Sequence, residues 1–368
     1  FEAEQRIANG VLWSRRTASD GSSLVTESYI EPERNLLVTE VTLTEAAPKA
    51  SSPGAASRPP AALEVTLSTY GPNRHVGKST ASACTLRNQT ANEQWVGACS
   101  RHFHTLGDPA PFHKPWSALA LTSAGAAPAR TSQGNVTLAS GYHHSYVRAS
   151  FGMAHGWAQA STATVDTATT ITAASTTTAM ATTTSLRLVI ALADNLMGAS
   201  DDDPTSAAAA LAVSADPSRV AKASAAAWAT YWAASSVSLP TRPALQAMWR
   251  GSMYATAGGM PSATRVAATK GRAPPPGLYG PWATADFAFW NGDFTLDYNH
   301  ETTFQHVYSS NHPERAAGFF ASITPWMEGA RVQARAVAQA ANLRGCPAQA
   351  LHFPCHLAPW GYQSRDTS

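Results

Sequence analysis

The densest run of chemically capable side chains lies between Gly277 and Glu314. It holds Trp282, then Trp290-Asn291-Gly292-Asp293-Phe294-Thr295-Leu296-Asp297-Tyr298-Asn299-His300-Glu301, and closes on Asn311-His312-Pro313-Glu314. Aromatic faces stack on the apolar side of a sugar ring, while carboxylates and amides supply both donors and acceptors for its hydroxyls. Glycosidic hydrolysis also needs two carboxyl groups, or a carboxylate acting through a partner, flanking the scissile bond. Asp293, Asp297 and Glu301 recur every fourth residue, so a continuous helix would crowd three like charges on one face. An extended approach through Asp297 is the better reading. It aims Asp297 and Asn299, two residues apart, at one side. These two are the candidate catalytic residues. Trp282, Trp290, Asp293, Glu301 and His312 are the candidate substrate-binding residues. The plain alternative is a helix cap with a solvated acidic turn, because Asp and Asn favour caps whatever the function.

The elements that must position this stretch change period part-way along the chain. The first half reads as β. Residues 38–43 are rich in β-branched types, 63–67 alternate with period two, 136–138 repeat the pattern briefly, and 185–192 form the clearest strand. The Thr- and Ala-rich segment 160–184 suits exposed strands or a linker. Residues 51–60 read as a surface loop. The second half reads as helix. Asp216-Pro217 supplies an N-cap and a first-turn proline, and Val220, Ala223, Ala227, Trp228 and Tyr231 follow at helical spacing. A second helix runs from Pro243 to Gly258-Gly259. A third begins near Asn299, and a fourth runs from His312-Pro313 to about Leu343 with a break near Pro325 and a stop at Gly345. The expected organisation is a β-sandwich over 1–192, a linker over 193–217, and helices over 218–368.

The segment Gly292 to Glu301 resembles glycoside hydrolase family 95 and related (α/α)6-barrel, six-hairpin glycosidases of the α-L-fucosidase type. Trp228, Trp232 and Ser235, Leu239-Pro240, and Met248-Trp249-Arg250-Gly251-Ser252-Met253-Tyr254 resemble the entry into that family's barrel. The likeness is specific over about 225–315. It implies a multidomain α and β architecture, an N-terminal β-sandwich followed by an incomplete (α/α)6 barrel. It also implies inverting hydrolysis of a terminal α-linked sugar, fucose-like or hexose. Asn299 matches the amide that positions the attacking water, and Asp297 stands where the family has a first Asn. The family's general acid lies downstream, outside this chain, so the resemblance implies a second polypeptide completing the barrel. No cofactor is implied. The alternatives are a non-catalytic glycan-binding or extracellular structural protein on the same scaffold, and a phosphorylase on a related barrel.

Composition narrows the class. The formal net charge is only +2 and charged residues make up 14%, with no basic run, which argues against nucleic acid as a partner. No stretch is long and apolar enough for a membrane span. The start at Phe1, without an initiator Met, reads as a processed product. Cys84 with Cys99 and Cys346 with Cys355 read as two local disulfides, with buried thiols as the alternative. Asn88-Gln89-Thr90 and Asn135-Val136-Thr137 are glycosylation sequons. Together these point to the secretory pathway: secreted, extracellular or lysosomal. His102 and His104 share a strand face but lack further ligands, so no metal site is expected. His143-His144 is a weaker pair of the same kind. His352 and His356 flank Cys355 on an expected loop, and Trp228, Trp232 and Trp249 read as core rather than sugar platforms.

Overall fold

The computed structural model describes residues 1–31, 33–45, 62–70, 83–89, 94–102, 116–124, 127–137, 143–152, 182–195, 202–278, 293–359 and 361. Trp282, Trp290, the loop 51–60 and nearly all of 160–184 lie outside them.

Among the described residues the β half has eleven strands: β1 (Glu2–Arg6), β2 (Val11–Thr17), β3 (Ser23–Glu31), β4 (Leu36–Glu45), β5 (Ala62–Tyr70), β6 (Ala83–Gln89), β7 (Gln94–His102), β8 (Trp116–Ala124), β9 (Arg130–Thr137), β10 (His143–Gly152) and β11 (Thr182–Asp194). Eight form one antiparallel sheet in the order β1-β2-β3-β4-β11-β8-β7-β6, and three form a second in the order β5-β10-β9. The long strand β11 pairs with β4 on one side and β8 on the other, so it joins the two parts of the large sheet.

Period-two alternation divides the apolar residues of the large sheet between two cores. Leu121, Leu186, Leu188 and Trp95 point toward Leu67, Val147 and Phe151 of the smaller sheet. Their neighbours of opposite parity, among them Val96, Ala98, Ala118, Ala120, Val189 and Ala191, face a helix instead. That second face is rich in alanine. Small side chains let α1 (Thr205–Val213) approach closely through Ala208, Ala209 and Ala212, all buried. The segment expected as a plain linker is therefore partly a packed helix that covers the sheet's outer face. Both faces of the central strands are dry, which is why 185–192 reads as an almost unbroken apolar run.

Among the described residues five further α-helices follow: α2 (Pro217–Ala234), α3 (Pro243–Gly259), the short α4 (Ala263–Ala268), α5 (Tyr298–Ser309) and α6 (Ala317–Ala340). Asp216 caps α2 by accepting from the Ser218 and Arg219 amides, with Pro217 in the first turn. An aromatic zipper joins α2 to α3. Trp228 stacks on Tyr254 at 4.7 Å, and the Tyr231 hydroxyl donates to the Met253 carbonyl at 2.8 Å. The Trp232 indole reaches back to the Ile7 carbonyl at 3.0 Å, and the turn at Gly10 lies against Trp228. Gly10 has φ +69°, and a Cβ there would collide with the Trp228 indole, so this contact between the halves requires glycine twice over.

Two expectations need correction here. Pro325 does not break the last helix: α6 runs through it from Ala317 to Ala340, held by buried Trp326 against Phe294. The short turn before it, Pro313–Ala316, is a separate 3-10 segment. After α6 the chain turns at Gly345, which has φ +80°, and runs back along the helix to a two-stranded ribbon. There β12 (Phe294–Thr295) pairs with β13 (His356–Leu357). The overall architecture is mixed, antiparallel sheets followed by helices.

Candidate functional site

The ribbon and the first turn of α5 bring several of the expected residues together. Asp293 is buried. Its carboxylate accepts from the Thr295 hydroxyl at 2.9 Å, and its other oxygen lies 3.1 Å from Nδ1 of half-buried His356. A buried carboxylate that fixes an imidazole in place makes a proton carrier of defined orientation. Asp297 is the N-cap of α5 and accepts from the amides of Tyr298 and Asn299. The extended approach expected through Asp297 is thus replaced by a cap, and the Asp297 carboxylate is tied to the backbone of Asn299. The Asn299 side chain is exposed on the first turn. Glu301 follows in that turn, where a negative charge is favoured by the helix dipole. Its Oε2 is buried and has no hydrogen-bond partner among the described residues.

Cys355 sits beside this acidic group. Partial desolvation of its inner side, then the charges of Asp297, Asp293 and Glu301, push its thiol above the usual range. It is therefore a poor nucleophile at neutral pH. Among the described residues no group of three His, Cys, Asp or Glu side chains could hold a metal.

His312 does not join this group. It lies beyond the other end of α5, a helix about 18 Å long. There it contacts Ser235 Oγ at 3.1 Å and Glu314 at 3.1 Å, and stacks on Tyr231 at 4.0 Å. It locks α2 to the α5–α6 corner, a positioning role within the helical half. His356, and not the expected His312, is the imidazole that stands beside the acids. The i, i+4 pair His352/His356 is visible in the sequence, but nothing there shows that the returning chain lays His356 on Asp293.

The expected Cys346–Cys355 disulfide is absent: both are thiols. Cys346 follows the end of α6, whereas the segment bearing Cys355 runs back along that helix, with the His352 amide donating to the Ala330 carbonyl at 3.0 Å. The two cysteines thus stand on different stretches of the returning chain, and their thiols are not joined. Cys84 and Cys99 do stand opposite each other in the β6–β7 register. The Cys99 sulfur points into the core, 3.8 Å from the Leu67 carbonyl, and the Cys84 side chain lies outside the described residues. Asn135 is exposed on β9, an edge strand, and its carbonyl accepts from Ser145 at 2.5 Å. Asn88 lies on β6, and its side chain is also outside the described residues.

No protein-family model matches this chain, and no curated protein matches it. A solved structure does. It is described as "Putative kojibiose phosphorylase from human microbiome" and superposes with a TM-score of 0.52 at 8% sequence identity, covering 99% of this chain and 39% of that one. The chain thus spans about two-fifths of that neighbour's length. The likeness shows the fold alone, antiparallel sheets followed by helices, and does not single out glycoside hydrolase family 95. Among the described residues no helix is long and apolar enough to cross a membrane.

Proposed function

We propose that the chain is the N-terminal and central part of an enzyme that hydrolyses a terminal α-linked sugar with inversion, and that α2 to α6 belong to an (α/α)6 barrel. The observation that carries this reading is the group at the start of α5. A buried Asp293 orients His356, while Asn299 and Glu301 stand on the adjoining turn, on a scaffold similar to that of a glycoside-cleaving protein. In this reading Asn299 holds the attacking water or a sugar hydroxyl. Asp297 acts by fixing the turn, and Glu301 offers its buried oxygen to the substrate. Trp282 and Trp290 serve as sugar platforms. The general acid comes from the part of the barrel that these helices do not supply, carried by a second polypeptide or by a further segment. Exposed apolar residues on the helices support such a partner, notably Met248 at 64% exposure and Phe320 at 57%. Passage through the secretory pathway rests on the exposed sequon at Asn135 and no longer on the cysteines.

The test is release of monosaccharide from a panel of aryl α-glycosides by the protein as isolated with any companion polypeptide, compared with Asn299→Ala. The reading requires at least a hundredfold loss in the variant. Equal rates would remove Asn299 from the mechanism, and no release from any α-glycoside would favour a non-catalytic glycan-binding protein. The neighbour's description favours one second reading, phosphorolysis. Turnover that depends on added phosphate would select it.

A further inference from the structure

A separate cavity of about 960 Å³ lies between the outer face of the large sheet and helices α1 to α4. Its size falls in the range of small-molecule sites, and it sits at a junction between structural units, where such sites concentrate. None of the residues around the start of α5 lines it. One part of its wall is apolar, with Ile30, Leu192, Leu211 and the Tyr254 ring. The rest is polar and comes from several directions: Arg34 after β3, Asp194 at the end of β11, Ser262 and Arg265 of the α4 turn, Arg272 after it, and Arg315 before α6.

The charges around this space are unevenly satisfied. Glu31 takes Arg34 in a two-point pair at 2.6–3.0 Å. Arg265 donates to the Glu33 carbonyl at 2.8 Å, with the Glu33 and Asp194 charges nearby. Arg315 donates one N–H to the Met260 carbonyl and lies over the Tyr231 ring at 5.0 Å. Its Nε is buried with no hydrogen-bond partner among the described residues, and pairs with Glu314 only loosely, at 3.7 Å. Arg272 is exposed and makes no ion pair among the described residues. Arg272 and Arg315 line one space, and Arg272 brings to it a guanidinium with no ion-pair partner among the described residues. Burial lowers the proton affinity of Arg315, so an anion beside it would relieve part of the cost of desolvation.

We infer that this cavity binds a saccharide carrying an anionic substituent, a phosphate or a carboxylate. A fatty acid would satisfy one polar end only. Here polar groups stand on several walls and an apolar wall lies between them, which suits a ring with hydroxyls on its rim and C–H groups on its face. The anionic group would take the Arg272 and Arg315 donors and Asp194 would meet hydroxyls, while the Ser262 hydroxyl stays on the Glu33 carboxylate at 2.7 Å.

Isothermal titration of the intact protein at low salt tests this, using glucose 6-phosphate, glucuronate, glucose and inorganic phosphate as titrants. Glucose 6-phosphate and glucuronate should compete for one site and bind at least tenfold more tightly than glucose or phosphate alone. Gly258→Trp places an indole in open space on the cavity wall, where a Cβ meets nothing within 4 Å, and should abolish binding. Arg272→Gln should weaken it about fivefold, and carries the test if the tryptophan variant does not fold. The inference is overturned if neither acidic sugar binds or glucose or phosphate alone binds as tightly. Binding that survives a folded Gly258→Trp, or is unchanged in Arg272→Gln, overturns it as well.

Discussion

The large sheet and helix α3 bury their apolar residues in opposite ways. In the sheet, Val96, Leu121, Leu186, Val189 and Ala191 are sealed between the smaller sheet on one side and α1 on the other. In α3 only Met253, Ala255 and Thr256 are buried, while Leu245 and Met248 face outward. The sheet thus carries its own stability. The helical half holds together through a few specific contacts: the Trp228–Tyr254 stack, the His306–Thr256 contact at 2.6 Å, and the aromatic packing around His300. Stability should reside mainly in the first region, and partner binding and chemistry in the second.

The strongest break of that contrast is Phe151→Ala. Phe151 is fully buried between the sheets, edge-on to Trp95 at 6.2 Å. Its loss should cost about 3–5 kcal/mol, read as a shift of the chemical denaturation midpoint. A cost below about 1 kcal/mol would mean that the sheet does not hold the molecule together.

The next effect is a pH dependence confined to the helical half. His300 is fully buried among Phe294, Phe304, Phe319 and Trp326, and neither ring nitrogen has a hydrogen-bond partner among the described residues. Burial pulls its pKa down to about 4. The folded state therefore rejects a proton that the unfolded chain accepts below about 6.5. Stability is fully present above that value and falls as pH drops toward 4, by at most about 3 kcal/mol. His306 is lowered in the same direction, by burial first. His300→Leu should flatten the decline in thermal midpoint between pH 6.5 and 4, and should raise the midpoint at pH 5. An unchanged slope would show that the imidazole is not sealed from water.

Smaller effects follow at the cap and on the open face. Asp297→Ala removes the α5 cap and should cost about 1 kcal/mol. Asp297→Asn, which still caps, should restore most of that stability and separate the cap's structural role from the carboxylate's charge. Met248→Ser should change stability by less than about 0.5 kcal/mol if that face is solvated in the isolated chain. It should weaken capture of a companion polypeptide in a pull-down if the same face is the joint.

The sequence revealed elements more fully than it revealed the site. The strand at 185–192 and the helix begun by Asp216-Pro217 were legible because periodicity and capping are local properties. Helix α1 was hidden because an alanine-rich segment announces no amphipathic face, and its role depends on the alanines of β7 and β8 across from it. Pro325 misled because a break predicted from proline alone ignores the packing of Trp326. At the site, the choice between an extended approach and a cap at Asp297 turned on tertiary context. The pairing of Asp293 with His356 depends on the chain doubling back along α6, and the same return path separates Cys346 from Cys355.

The most direct measurement is the anomeric form of the first sugar released from an aryl α-glycoside, followed by proton NMR in the first minutes of turnover. Inverting hydrolysis on this scaffold predicts that the β-anomer appears first and then mutarotates. Initial release of the α-anomer, or a sugar that leaves only as its phosphate ester, would contradict it.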